Sequence, residues 1–251
     1  MLLSNPKDAI HKAWLYRLLS AIADDEVLAR LLFFKGGTCA AMLGYLDRFS
    51  VDLDFDFVGG AHEVLEARRR LERIYQELGL MIKDKSKMVP QYFLGYSAKE
   101  HERNTIKLDV TFPHPLANKY EAKTLVDIDR IMYCQTIETM FGNKLVALID
   151  RFEKHGSIAG RDVYDIHAFF LQGFRYDIDV IEERRGKSIQ EVFSELLIFV
   201  DKNITDTIIN QDLNRLLSKE KFQKIRKVLK QEVLMFLRDE IVRVEQKSGN
   251  R

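Results

Sequence analysis

The sequence predicts an α+β fold, a mixed sheet with flanking helices followed by an all-helical C-terminal domain. Three observations carry this expectation. Two segments, 49–57 and 105–112, alternate apolar and polar side chains, as strands with one buried face do. Apolar residues recur at helical spacing before, between and after them. Beyond about residue 130 the alternation fades and helical periodicity takes over, so the domains are expected at 1–128 and 129–251. A chain of 251 residues suits two modest domains.

The elements follow in order. Asn5 before Pro6 is a helix start, with Asn as the cap and Pro in the first turn. Ile10, Trp14, Leu15, Leu18, Leu19 and Ile22 then mark one helical stripe. A second helix, 38–46, follows Gly36 and Gly37. In the strand 49–57, Phe49, Val51, Leu53, Phe55 and Phe57 share one face, while Arg48, Ser50, Asp52, Asp54 and Asp56 share the other. Gly59 and Gly60 end it. A charged amphipathic helix fits 61–78, and short strands fit 80–82 and 91–97. In the strand 105–112, Ile106, Leu108, Val110 and Phe112 oppose Thr105, Lys107, Asp109 and Thr111, and Pro113 and Pro115 stop it. A helix over 137–155 closes with Lys154 and His155 in its last turn and Gly156 beyond. Another covers 161–171, and at least three more follow.

Composition narrows the function classes. Hydrophobic residues at 46% and charged residues at 31% describe a folded protein and not a disordered one. Lys and Arg total 39 against 38 Asp and Glu, so any nucleic-acid surface must be a local patch. Cys39 and Cys134 cannot make a disulfide framework, suit a reducing compartment and lack zinc-type spacing. No stretch reaches the ~18 apolar residues of a membrane span; the run Leu196-Leu197-Ile198-Phe199-Val200 reads as core. The first residues lack a secretory pattern, so the expected location is the cytoplasm, with no membrane partner.

Asp52 and Asp54 lie two apart on one strand, so their carboxylates point the same way and repel. A divalent cation relieves that repulsion. Mg2+ takes hard oxygen ligands, commonly one or two carboxylates together with substrate phosphates. Asp109, on the polar face of the second strand, would extend the set to a two-metal phosphoryl-transfer site. The plainer alternative is an acidic, solvated edge strand. Lys35-Gly36-Gly37-Thr38 precedes a helix whose N-terminus attracts phosphate, although P-loop spacing is missing. In the helical domain, Lys144, Leu148 and Arg151 share a face, and Asp162 and Asp165 lie one turn apart. These are either substrate-facing charges or a solvated helix face. Between 215 and 230 stand Arg215, Lys219, Lys221, Lys224, Arg226, Lys227 and Lys230 against Glu220 alone, above a stripe of Phe222, Ile225, Val228 and Leu229 expected to be buried. That run either contacts RNA phosphates or is a solvated face.

The order KGGT, RFSVDLDF, KLDV, KLVAL and RDVYDI, spread over about residues 30–170, resembles the AbiEii-type nucleotidyltransferases. These are toxins of abortive-infection and type IV toxin–antitoxin systems, within the DNA polymerase β-like superfamily. The resemblance implies a nucleotidyltransferase-type mixed sheet and transfer of a nucleoside monophosphate from an NTP to an acceptor, the tRNA 3′ end in some relatives. It implies catalytic roles for Asp52, Asp54, Asp109, Lys144, Asp162 and Asp165. Mg2+ would sit on Asp52, Asp54 and Asp109. The nucleotide would lie on Lys35, Gly36, Gly37, Thr38, Arg48, Ser50 and Lys144, in a cleft completed by the helical domain. Gly37 stands where other branches carry serine, so a phosphate-binding hydroxyl would come from Thr38. Partners are then an NTP, an RNA acceptor and a cognate antitoxin. The alternatives are a protein or small-molecule acceptor, or a catalytically silent nucleotide-binding module. The presence of all three carboxylates argues against the silent module.

Overall fold

The computed structural model describes residues 8–99 and 102–249. The helix start expected at Asn5 and Pro6 lies outside them. In the first part of the chain come α1 (Ala9–Asp24), α2 (Glu26–Leu31), β1 (Leu32–Lys35), α3 (Gly36–Met42), β2 (Asp52–Phe57), α4 (Val64–Leu78), β3 (Met81–Lys85), β4 (Tyr92–Gly95), β5 (Thr105–Thr111), β6 (Tyr120–Leu125) and β7 (Arg130–Gln135). The strands form one mixed sheet in the order β3-β4-β5-β2-β1-β7-β6. β2 runs antiparallel to β1 and parallel to β5, and β1 runs parallel to β7.

Registers place Leu53 beside Leu108 and Phe55 beside both Phe34 and Val110, so one sheet face is continuous apolar surface. It is buried together with Leu15, Leu18, Leu19 and Ile22 of α1 and Ala67, Leu71 and Ile74 of α4. Tyr75 of α4 meets Tyr92 of β4 edge-on at 5.1 Å. Cys39 and Cys134 are free and buried, and burial pushes the Cys39 thiol well up.

Several expectations shift. The second helix begins at Gly36, not residue 38, and ends at Met42. The strand expected from 49 enters the ladder only at Asp52, although Phe49 and Val51 are buried ahead of it. β1, β6 and β7 were not expected as strands. The chain divides into two compact units after Thr136, not at 128, because β7 pairs with β1 and β6.

The second unit takes in Pro115–Asn118 as well as Ile137 onward. Glu183 accepts the backbone N–H groups of Leu116 and Ala117, and Asn118 accepts from Asn143. This unit is helical: α5 (Ile137–His155), α6 (Gly160–Leu171), α7 (Ile178–Arg185), α8 (Ile189–Asn203), α9 (Asp206–Leu213), α10 (Lys219–Ile225) and α11 (Leu229–Gly249). Ser188, Thr205 and Ser218 cap α8, α9 and α10 by accepting from the N–H three residues on. Among the described residues no helix is long and apolar enough to cross a membrane.

Candidate active site

The face of the sheet opposite the apolar one gathers the acids. Asp54 pairs in register with Asp109 across the parallel β2–β5 ladder, and Asp52 pairs with Lys107. Asp52, Asp54 and Asp109 are all half-buried. The Lys107 ammonium forms an ion pair with the Asp109 carboxylate, and Gln91 donates to the same carboxylate at 2.9 Å. Lys107 therefore supplies a fixed positive charge inside the acidic set. Among the described residues no three carboxylate, His or Cys side chains converge as a metal-holding group. The donor chemistry that fits a hard cation here is the pair Asp52 and Asp54.

The chain turns from β1 into α3 with no intervening loop, which needs the positive φ of +78° at Gly36. A Cβ at Gly36 would overlap the Asp54 carboxylate, and one at Gly37 would lie 2.6 Å from Arg48 Nη2 and 3.0 Å from Ser50 Oγ. Two glycines thus let backbone at a helix start approach a carboxylate on one side and a buried Arg and Ser on the other. Arg48 also donates to the Phe49 carbonyl. Thr38 is fully buried, and its hydroxyl donates to the Asp52 carbonyl. That bond ties α3 to the backbone carrying the first acid, so the hydroxyl expected to meet phosphate has a structural task instead.

Lys35 is also committed. Its ammonium donates to Asp56 at 2.6 Å and to the Thr111 hydroxyl at 2.7 Å. Asp56, fully buried, accepts further bonds from Tyr120 at 2.8 Å and Gln135 at 2.6 Å. The sequence placed Lys35 at the nucleotide because it precedes Gly36; the structure instead makes it the partner of Asp56.

In the second unit, Lys144 of α5 lies 2.8 Å from Asp162 and 2.9 Å from Asp165, both buried on α6. Arg151 reaches Asp162 at 3.3 Å. Burial by itself pushes the Asp162 carboxyl up, but the charges of Lys144 and Arg151 overcome it and hold it at about 2. Two buried carboxylates bridged by Lys144 and flanked by Arg151 form an ionic cluster and not a solvated helix face.

A family model of the AbiEii nucleotidyl transferase toxin of type IV toxin–antitoxin systems matches residues 17–232. The chain belongs to the AbiEii nucleotidyltransferase toxin family. It is therefore a nucleotidyltransferase, and the family points to a nucleotide substrate and a cognate antitoxin. Two structures from Helicobacter pylori share its fold. One, JHP933, is 21% identical with a TM-score of 0.60, covering 99% of this chain and 97% of that one. The other is 20% identical with a TM-score of 0.59, covering 96% and 98%. The Mycobacterium tuberculosis nucleotidyltransferase toxin MenT4 is 14% identical with a TM-score of 0.51, covering 93% and 84%. No curated protein matches the chain.

Within this AbiEii chain the first unit brings together Asp52, Asp54, Asp109, Gly36, Gly37, Arg48 and Ser50, and the second brings together Lys144, Asp162 and Asp165. Reading the sequence missed the parts played by Lys107, Gln91 and Asp56. The alternation had already put Lys107 on the Asp109 face, but its charge pairing needs the strand register. The basic run is broken: α10 ends at Ile225 and α11 starts at Leu229. Lys224 pairs with Glu220 at 2.7 Å, Lys230 donates to the Asp201 carbonyl, and Val228, expected in the buried stripe, is exposed.

Proposed function

We propose that this nucleotidyltransferase moves a nucleoside monophosphate from an NTP to the 3′ end of an RNA, with tRNA as the acceptor and Mg2+ as the cofactor. The observation that carries the reading is the close approach of the Asp54 carboxylate to Gly36 at the start of α3, with Asp109 in register one strand away. That arrangement sets backbone N–H groups, which favour phosphate, beside carboxylates, which favour a cation.

Asp52 and Asp54 would hold the cation, which when bound neutralises triphosphate charge. Asp109 would accept the proton of the acceptor hydroxyl as that oxygen bonds to the α-phosphorus and pyrophosphate leaves. Lys107 and Gln91 orient the Asp109 carboxylate. Arg48 and Ser50 pack on Gly37 and would lend their donors to the helix start from beneath.

The test incubates the protein with each of the four labelled NTPs, total RNA and lysate protein, with and without Mg2+. Label should enter RNA 3′ ends only with Mg2+, and Asp54→Asn should lower transfer by at least a hundredfold while keeping the wild-type circular dichroism. Label in protein, or an active Asp54→Asn variant, would overturn the reading.

A further inference from the structure

The open face of the sheet continues past the carboxylates. Phe33 of β1 lies at the register position of Asp56, and because Phe34 aligns with Cys134, Tyr133 of β7 lies beside Phe33 on that same face. The Phe33 and Tyr133 rings stack with centroids 4.8 Å apart at 24°. Tyr120 meets Phe33 edge-on at 4.9 Å, and its hydroxyl donates to Asp56. A buried carboxylate and three aromatic rings thus form one braced unit. Tyr133 is nevertheless 49% exposed, and Ile131, two residues along the same face, is 70% exposed.

We propose that the Tyr133–Phe33 pair is a platform on which an unpaired base of the acceptor RNA stacks. The proposal rests on the nucleic-acid-acceptor reading above and names where that acceptor is held. Aromatic rings held on an open sheet are a general means of stacking unpaired bases, and they tolerate many sequences because every base has a π-face. The platform lies on the same sheet face as the acids, with buried Asp56 between them. Two strand spacings across and two residues along put Tyr133 roughly 12 Å from Asp54, a span that a short single strand bridges. Lys35, the cation two residues from Phe33, is engaged by Asp56 and Thr111, so what is offered is the outer ring face of Tyr133, braced from behind by Phe33, and not positive charge. That surface selects bases over phosphates.

The experiment measures affinity for single-stranded oligoadenylate and for an abasic strand of the same length, without NTP, so that no transfer is needed. Tyr133→Ala should weaken oligoadenylate binding about tenfold or more, Tyr133→Trp should restore it, and neither should change abasic-strand binding. Equal oligoadenylate affinity in wild type and Tyr133→Ala would overturn the platform. So would equal losses on both strands, or no binding by the wild type. A wild-type dimer that Tyr133→Ala converts to monomer in sedimentation, with oligoadenylate affinity unchanged, would reassign the face to self-association. Intact oligoadenylate binding together with label transfer to protein would overturn the acceptor reading and leave the stacking surface standing, so the two failures are distinguishable.

Discussion

Replacing Asp162 by Asn should destabilise the helical unit by an amount that depends on pH in a defined way. Asp162 is 1% exposed, so solvent screens its charge interactions little. Its carboxyl is held at about 2 against an ordinary 3.8. At ~1.4 kcal/mol per pH unit, that difference is roughly 2–3 kcal/mol of stability. Removing one partner of a buried ion pair commonly costs about 3–5 kcal/mol. The lower figure is expected here because Lys144 keeps Asp165, and Arg151, 37% exposed, can turn to water. The folded carboxyl ionises more readily than the unfolded one. Its contribution is therefore complete above pH ~4 and is lost as pH falls through about 2. Denaturant unfolding of wild type and Asp162→Asn, followed by far-UV circular dichroism, should show the full gap at pH 7 and pH 5 and roughly half of it at pH 3. Equal stability at pH 7, or a gap that does not narrow at pH 3, would refute the reasoning. Lys144→Ala would leave two buried carboxylates facing one another, so its effect on activity would be mixed with loss of fold.

Asp56→Asn should cost about 3–5 kcal/mol in chemical denaturation, because it removes the buried charge that Lys35, Tyr120 and Gln135 all bind and leaves the half-buried Lys35 ammonium without its counter-charge. Gly36→Ala combines a left-handed backbone with overlap on Asp54; nucleotide transfer should fall far more than the ~1–2 kcal/mol of stability that the backbone strain costs. Burial holds the His11 imidazole down at about 4 against an ordinary 6.5. Wild type should therefore lose stability as pH falls below 6.5, roughly 2 kcal/mol by pH 5, and His11→Gln should flatten that slope in the same unfolding series.

What was legible in the sequence was whatever had one wet face and one dry one. β2 and β5 announced themselves because every apolar residue fell on the same side. β7 did not, because Ile131 and Tyr133 on its open face are as apolar as Met132 and Cys134 on its buried face, and alternation vanishes when both faces carry apolar groups. β1 is four residues long and runs straight into a helix, so its period was too short to read. The Gly36-Gly37 pair and the acids were legible as types in a known order. The occupation of Lys35 and Thr38 was not, since it depends on which strand lies alongside. The Lys144 cluster was misjudged in its plainer reading for the same reason. An i, i+3 pair of acids on a helix looks solvated until the burial of that face is known.

The three aspartates of β2 show how neighbours decide chemistry. Asp52, Asp54 and Asp56 are equivalent in spacing and face, yet they meet different surroundings. At Asp56 the sheet is complete on both sides, and Lys35, Tyr120 and Gln135 all reach its carboxylate, so it is fully buried and satisfied. At Asp54 the neighbouring strand β1 has reached its last residue, Lys35, and that side chain leans away toward Asp56. At Asp52 β1 is gone, and the chain has already turned through Gly36 into α3, whose Thr38 grips the Asp52 carbonyl and leaves the carboxylate half-buried. Lys35 in effect sorts the acids: by pairing with the deepest one it locks the sheet, and by ending β1 it leaves the two outer ones at the start of a helix. A longer β1 would have buried Asp54 as well. The lengths of β1 and the Gly36 turn, more than the D-x-D pattern itself, are what leave this pair half-buried beside the start of a helix.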